Sequence, residues 1–469
     1  MLRDRYEPMN LFACIQTLSM RMDPILTQMD TLLDDEVLFQ AVKADLLTRF
    51  PATATAGRPS TPVEVILRML VVKHLYGWSF PQTARSVSDS LVLRQFCRVY
   101  VAAVPNQSTL HRWAQLLQPT TLHRLLDHVV HLACQLKVTH GRKLRLDGTV
   151  VSTNIHHPTD STLLYDGVRV LWRAVRKAKA LLREGPTVVQ DYDLDWPLQA
   201  REQMKRIMEV ARQRGEAAAE RLNTTYRALL EVTATVMARA RHVQREVAAQ
   251  ATGAAQRVAG TLARFLPRVE QVIAQTTRRV LHGEQVPARE KLVSLFEPET
   301  AIIRKGKPGK PTEFGRVLWL DEVEGGLISR YAVLEGNPDE KAQVPHSLAH
   351  HRQRFGRPPD LLTGDRGLHS TANEREARTQ GVTEVVLPKP GKKSAKRLAH
   401  ERQDWFRAGR NWRAGIEGRI SGLKRRHKLD RCRYHGTAGM ERWGGLGVLA
   451  HNLRVIARHL VTAHQTADA

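Results

Sequence analysis

Three acidic side chains stand where they can act together on a phosphate ester. They are Asp147 inside a strand-like run, Asp365 at the end of another, and Glu417 in a late helical stretch. Two hard cations bridged by carboxylates activate a water or a 3′-hydroxyl and stabilise the oxygen leaving a phosphodiester. Oxygen-only ligands without a His/Cys cluster favour Mg2+ or Mn2+ over zinc, and a pair of ions is expected. Glu417 lies in a very basic stretch. Between Lys389 and Arg433 the acids are Glu401, Asp404, Glu417 and Asp430, against sixteen lysines and arginines. On a helix, positions four and seven apart share a face. Arg413, Glu417, Ser421 and Lys424 then form one stripe, with Gly418 and Gly422 leaving room beside it. An acid among bases at a surface is ordinarily a weak solvated pair. Facing a phosphodiester, the same stripe offers a metal ligand flanked by phosphate-binding cations.

The net charge of +25 over 469 residues points to a polyanionic partner, because neutralised phosphates release condensed counterions. No run is long and apolar enough to span a bilayer, and Met1–Glu7 lacks the apolar core of a signal peptide. Cys14, Cys97, Cys134 and Cys432 are far apart, with no C-x-x-C pair. That spacing argues against zinc sites and a disulfide framework and suits a reducing cytoplasm. They read most simply as buried apolar groups.

Positioning these acids requires a sheet and a helix. Lys143–Val151 reads as the first strand, with Val and Thr favouring strand and partial alternation at Leu144 and Leu146. Gly315–Leu320 and Leu327–Leu334, joined by Asp321-Glu322-Val323-Glu324-Gly325-Gly326, have a hairpin signature. Asp360–Gly364 and Thr383–Leu387 supply two further strands, and helices intervene, giving a mixed α/β domain. Residues 1–140 read as helical. One helix follows a Ser60-Thr61 cap, a second lies near Pro81–Ser90 after the Gly77-Trp78-Ser79 turn, and a third opens at Asn106 and runs through Leu116. Short helices with polar starts suit either a helix-turn-helix, with His111 and Arg112 facing DNA, or an ordinary bundle. Residues 155–300 read as a helical insertion, proline-free from Leu198 to Leu266 and rich in Ala, Arg, Glu and Gln. Gly215, Gly253 and Gly260 are candidate breaks in it. The expected division is 1–140, 141–154 (first core strand), 155–300, 301–436 (rest of the core) and 437–469 (a terminal helix on the core).

Leu146-Asp147-Gly148-Thr149, Thr363-Gly364-Asp365-Arg366-Gly367, and Trp412-Arg413-Ala414-Gly415-Ile416-Glu417 with Ser421-Gly422-Leu423-Lys424 together resemble the DDE-type transposases of bacterial insertion sequences. The last stretch carries the R-x3-E-x6-K part of the signature Y-x2-R-x3-E-x6-K, with Arg410 where tyrosine is expected. Thr153–Ser161 and the helix Val65–Tyr76 resemble one branch of these elements. The resemblance implies an RNase H-like catalytic core preceded by an all-α DNA-binding region. It makes Asp147, Asp365 and Glu417 the metal-binding triad, and sets Arg413 and Lys424 on transposon-end phosphates. The implied reaction is cleavage at terminal inverted repeats followed by attack of the freed 3′-oxygen on target DNA, with no covalent enzyme intermediate. The protein would act as a homodimer or higher oligomer on double-stranded DNA, in a nucleoid-associated cytoplasmic setting. A metal-dependent nuclease without strand transfer and a non-catalytic DNA-binding derivative are the rival classes.

Other residues carry two readings each. Asp321 precedes a hairpin turn, where Asp is common for backbone reasons, and is also a candidate ligand. Asp339 suits a helix cap or a supporting role at the sheet edge. His156 and His157 closely follow the first strand, as surface hydrogen-bonding groups or as neighbours of the site. The cluster Asp191–Asp195 lacks the glycine and distal glutamate of a calcium loop. Trp412, beside Arg413, either packs in the core or stacks on an extruded base, and Trp405 stands in the same segment. The basic loops around Arg304, Lys305 and Lys307 and around Lys392 and Lys393 suit phosphate contact, as does Arg425 beside Lys424.

Overall fold

A computed structural model describes residue 4 and residues 22–49, 59–182, 195–250, 252–304 and 312–467. The chain forms two compact units, Met1–Asn154 with Gly315–Ala469, and Ile155–Phe314. Lys305, Lys307, Cys14 and most of the Asp191–Asp195 cluster lie outside the described residues.

The described elements run in this order. Helices α1 (Pro24–Leu33), α2 (Glu36–Leu47), α3 (Val63–Leu75), α4 (Phe80–Asp89), α5 (Leu91–Phe96), α6 (Gln107–Ala114) and α7 (Pro119–Gln135) precede strand β1 (Lys143–Ser152). Then come α8 (Asp160–Lys179), α9 (Trp196–Val210), α10 (Glu216–Ala248), α11 (Gly253–Thr276) and the short β2 (Ala301–Ile303). Strands β3 (Glu313–Val323) and β4 (Leu327–Val333) lead to α12 (Gln343–Phe355), β5 (Leu361–Thr363), α13 (Thr371–Thr379) and β6 (Glu384–Val386). Helices α14 (Ala395–Arg402), α15 (Asp404–Arg426) and α16 (Gly436–Ala467) complete the chain.

In the first unit β1 holds the centre of a mixed sheet. It pairs antiparallel with β3, from Leu144↔Val323 to Ser152↔Gly315, and parallel with β5, from Lys143↔Leu361 to Arg145↔Thr363. Strand β6 extends the sheet parallel to β5, and β4 flanks β3 antiparallel, with an irregularity between Asp321 and Glu322. The β3–β4 turn uses positive φ at Gly325 (81°) and Gly326 (80°), a conformation that costs a residue with a Cβ. One core joins Leu126 and Val130 of α7, Val151, Leu318, Leu320 and Tyr331 of the sheet, Leu423 of α15, and Trp443 and Val448 of α16. Asn452 of α16 accepts from the Ile328 N–H (3.0 Å) and donates to its carbonyl (2.8 Å), giving the buried backbone of β4 the partners it needs.

The N-terminal helices form for identifiable local reasons. Asp23, Asp35, Ser79 and Asn106 each cap a helix through a side-chain oxygen, which satisfies an otherwise orphaned N–H. Helix α3 is buried along its whole length. Its fully buried Arg68 bonds Asp30 (2.5 Å), Asp34 (2.6 Å) and Glu64 (3.2 Å). The Ser60-Thr61 cap does not form: Pro62 holds the N-cap position without a side-chain bond, and the Ser60 hydroxyl bonds the Thr61 carbonyl instead. The third helix opens at Asn106 but stops at Ala114, two residues before Leu116.

The second unit has its own core, including Leu171 and Trp172 of α8, Leu229 and Val236 of α10, and Leu262 and Val269 of α11. Gly215 and Gly253 do mark helix starts, whereas Gly260 lies within α11. Helix α8 opens on a reciprocal cap between Thr159 and Thr162.

Candidate active site

Residues paired across two strands share a face, and alternate residues return to it. The last rung between β1 and β5 is Arg145↔Thr363. Asp147, still inside β1, and Asp365, just past the end of β5, each stand two residues beyond it. Asp147 is largely covered, and its Oδ1 accepts from the Gly148 N–H at 2.8 Å. Asp365 accepts from the Leu368 N–H at 3.1 Å and caps the single turn Arg366–Leu368.

Helix α15 brings the third acid. Arg413 donates through Nη2 to Asp147 Oδ2 (3.2 Å) and through Nη1 to Glu417 Oε1 (3.0 Å). One guanidinium thus bridges two carboxylates contributed by a strand and a helix. Glu417 stays open to solvent, with 67% of its side chain exposed. Among the described residues no three His, Cys, Asp or Glu side chains converge as a ready ligand cluster. The donors themselves suit a hard cation. The Arg413 guanidinium lies between the Asp147 and Glu417 oxygens.

A buried network sets the position of α15. Glu322, fully buried on β3 opposite Arg145, accepts from Arg145 Nε (2.9 Å), Arg145 Nη2 (2.6 Å) and Arg419 Nε (3.0 Å). Arg145 also donates to the Trp412 carbonyl (2.5 Å) and lies 4.7 Å from the centre of the Trp412 ring. The helix is therefore gripped at Trp412 and at Arg419, on either side of Arg413 and Glu417. Sequence reasoning does not single out Arg145, Glu322 or Arg419. The one available signal is charge at strand positions that alternation would bury.

The other sequence candidates divide. Trp412 packs with Trp405 against Leu361, Val386 and Phe406. Lys424 Nζ donates to the Val150 carbonyl at 2.8 Å, tying α15 to β1. Arg425 and Arg410 are exposed on the same helix. Lys393 pairs with Glu401, which also accepts from the Lys389 N–H (2.9 Å) and Arg397 Nε (2.8 Å), while Lys392 is exposed. His111 and Arg112 are exposed on α6. Asp339 caps the turn Glu340–Ala342.

Asp321 is not placed to be a ligand beside Asp147. It pairs with Leu146 and so faces the other side of the sheet. There its Oδ1 accepts from Trp319 Nε1 (2.7 Å) and Ser347 Oγ (2.7 Å), and burial pushes its carboxyl up. In the second unit, exposed Arg304 ends a described stretch, His156 lies 3.5 Å from Asp166, and the His157 ring meets that of Phe314 edge-on.

Residues 16–116 match the family described as Transposase domain (DUF772), and residues 372–457 match the Transposase DDE domain. The two matches support an insertion-sequence DDE transposase. The second match takes in Trp412, Arg413, Glu417 and Lys424, whereas Asp147 and Asp365 lie outside both matched stretches. No curated protein and no solved structure matches the chain. Among its described residues no helix is long and apolar enough to cross a membrane.

Proposed function

We propose that the protein binds the terminal inverted repeats of an insertion sequence and cuts and rejoins DNA strands through a site built on Asp147, Asp365 and Glu417, within a core of RNase H-like fold. The observation that carries this reading is the Arg413 bridge: a cation already joins Asp147 to Glu417, beside the strand end that bears Asp365. The three carboxylates would hold Mg2+ or Mn2+, as a pair of ions. The metal supplies charge stabilisation at the oxygens entering and leaving phosphorus, and a more acidic attacking hydroxyl or water.

The chain's own groups do the rest. Arg413, beside the carboxylates, would hold a phosphate oxygen and carry positive charge to the scissile group. Exposed Arg425 and Lys392 continue the cationic track along the backbone, with Arg304, Lys305 and Lys307 as further contacts. His111 and Arg112 of α6 meet the repeat DNA. Trp412 holds the helix through Arg145 and packs beside Phe406. Lys424 fixes the helix to β1 and reaches DNA only by releasing the Val150 carbonyl. Pairing of two element ends implies a dimer or higher oligomer, acting on DNA in the cytoplasm.

The test is cleavage and joining of duplexes carrying the element's terminal repeats, with purified protein and Mg2+. Asp147→Asn, Asp365→Asn and Glu417→Gln should each bind DNA yet lose cleavage by about a hundredfold or more. Unchanged cleavage in any of them removes that residue from the site. Cleavage without joining would make the protein a nuclease, and binding without either would make it a non-catalytic derivative.

A further inference from the structure

Helix α6 and the segment leading into α16 enclose a pocket of about 70 Å³ that shares no residue with the candidate active site. His111 and Gln115 line it from one side of the sequence, and Arg433, Tyr434, His435 and Arg442 from the other. No carboxylate is among its lining residues, in a place that gathers two guanidiniums and two imidazoles. Arg442 is held in place by its Nε, which donates to the Leu117 carbonyl at 2.6 Å. Among the described residues, neither Arg433 nor Arg442 forms an ion pair with an acid.

The surroundings deepen the excess of positive charge. Behind the Tyr434 ring, Lys73 is caged by aromatic faces, with Nζ 4.5 Å from the centre of the Trp443 ring, 4.9 Å from Phe80 and 5.2 Å from Tyr434. Burial, with the nearby Arg433 charge, lowers the Lys73 ammonium to about 7. The Tyr434 hydroxyl is buried without a hydrogen-bond partner among the described residues. A preformed concavity with convergent donors, whose two guanidiniums form no ion pair among the described residues, is arranged for an anion.

We propose that this pocket receives a backbone phosphate of DNA, gripped by Arg433 and Arg442 and flanked by His111, His435 and the Gln115 amide. The proposal rests on the DNA-binding reading above. It adds a contact joining the N-terminal helices to the C-terminal part of the chain. DNA is favoured over a free phosphate because one wall is α6, a short exposed helix of the N-terminal region whose outer side also carries Arg112.

The experiment measures duplex binding by fluorescence anisotropy across a salt series, using the full chain. Arg433→Ala should weaken binding about fivefold to tenfold and reduce the slope of log K against log salt by about 0.9, the value of one phosphate contact. Gln115→Trp fills the pocket without changing charge and should weaken binding by a similar factor, which a diffuse surface field would not produce. Melting curves matching the wild type establish that the variants are folded. Wild-type affinity in folded Arg433→Ala or Gln115→Trp overturns the proposal. So does inorganic phosphate that binds by calorimetry in an Arg433-dependent way while duplex binding is unaffected, since the ligand is then a free anion. A wild-type protein that binds no duplex sinks both this inference and the proposed function. One that binds DNA normally with unaltered variants sinks the inference alone.

Discussion

Replacing Glu322 by alanine tests how helix α15 is held. Glu322 is fully buried and accepts three hydrogen bonds of 2.6–3.0 Å from two arginines. Its loss leaves the Arg145 guanidinium, whose side chain is 7% exposed, without a counter-charge. Breaking one partner of a buried pair costs about 3–5 kcal/mol, because the remaining charge stays desolvated. An exposed pair such as Arg407–Asp404, 59% and 92% exposed, would change stability by about 0–1 kcal/mol. At about 4 kcal/mol, the ratio of folded to unfolded protein falls by roughly three orders of magnitude. Urea titration should move to a lower midpoint with an unchanged slope. Because the chain has two units, hydrogen exchange at β1 and α15 assigns the loss to the right one. Glu322→Leu combined with Arg145→Met should recover most of it, since an apolar pair removes both charges together. A loss below about 1 kcal/mol in Glu322→Ala would refute the account of how α15 is fixed.

Other expectations follow from the same contacts. Burial alone would raise the Glu401 carboxyl, but bonds from Lys393, the Lys389 N–H and Arg397 outweigh it and hold the group at about 2. Its folded value lies below the unfolded one, so its contribution is full above the ordinary glutamate range and fades as pH falls toward about 2; Glu401→Gln should flatten the acid limb of melting temperature against pH. Lys73 is lowered too, because burial disfavours its charged form. The fold binds fewer protons than the unfolded chain between about 7 and the ordinary lysine value, so stability should rise with pH across that window, and Lys73→Met should abolish the rise. Arg413→Gln removes the cation that competes for Asp147 and Glu417. Calorimetry should show Mg2+ binding about twofold to fivefold tighter, the scale of a partly solvated pair, while cleavage falls; unchanged affinity would show that the bridge does not guard the carboxylates.

Much of the site is legible in the sequence because local rules act there. Alternation finds β1 around Asp147, paired glycines find the β3–β4 turn, and a cap at Asn106 finds α6. Two things are not local. The matching of Asp147 with Asp365 depends on a parallel pairing between strands far apart in sequence, and no periodicity encodes a register. The Arg145–Glu322–Arg419 network looks like strand and helix charge until the partners meet. Lys424 reads as a phosphate-binding cation from its place in the stripe, and its amine also donates to the Val150 carbonyl inside β1. Helix α8 falls inside the stretch that reads as a helical insertion, and its cap Thr159 directly follows Pro158.

The junction at Ser152↔Gly315 gives the architecture an unusual freedom. A Cβ at Gly315 would lie 2.1 Å from the Val151 carbonyl oxygen, so the rung closes only around glycine. Everything between the two strands is, topologically, the tip of a hairpin. Because its ends are clamped by β1 and β3, a long tip costs the sheet little more closure entropy than a short one. Such a place lets a whole helical module be exchanged, enlarged or discarded without disturbing β1 and β3. A chain with residues 155–314 replaced by a short turn should still pair β1 with β3.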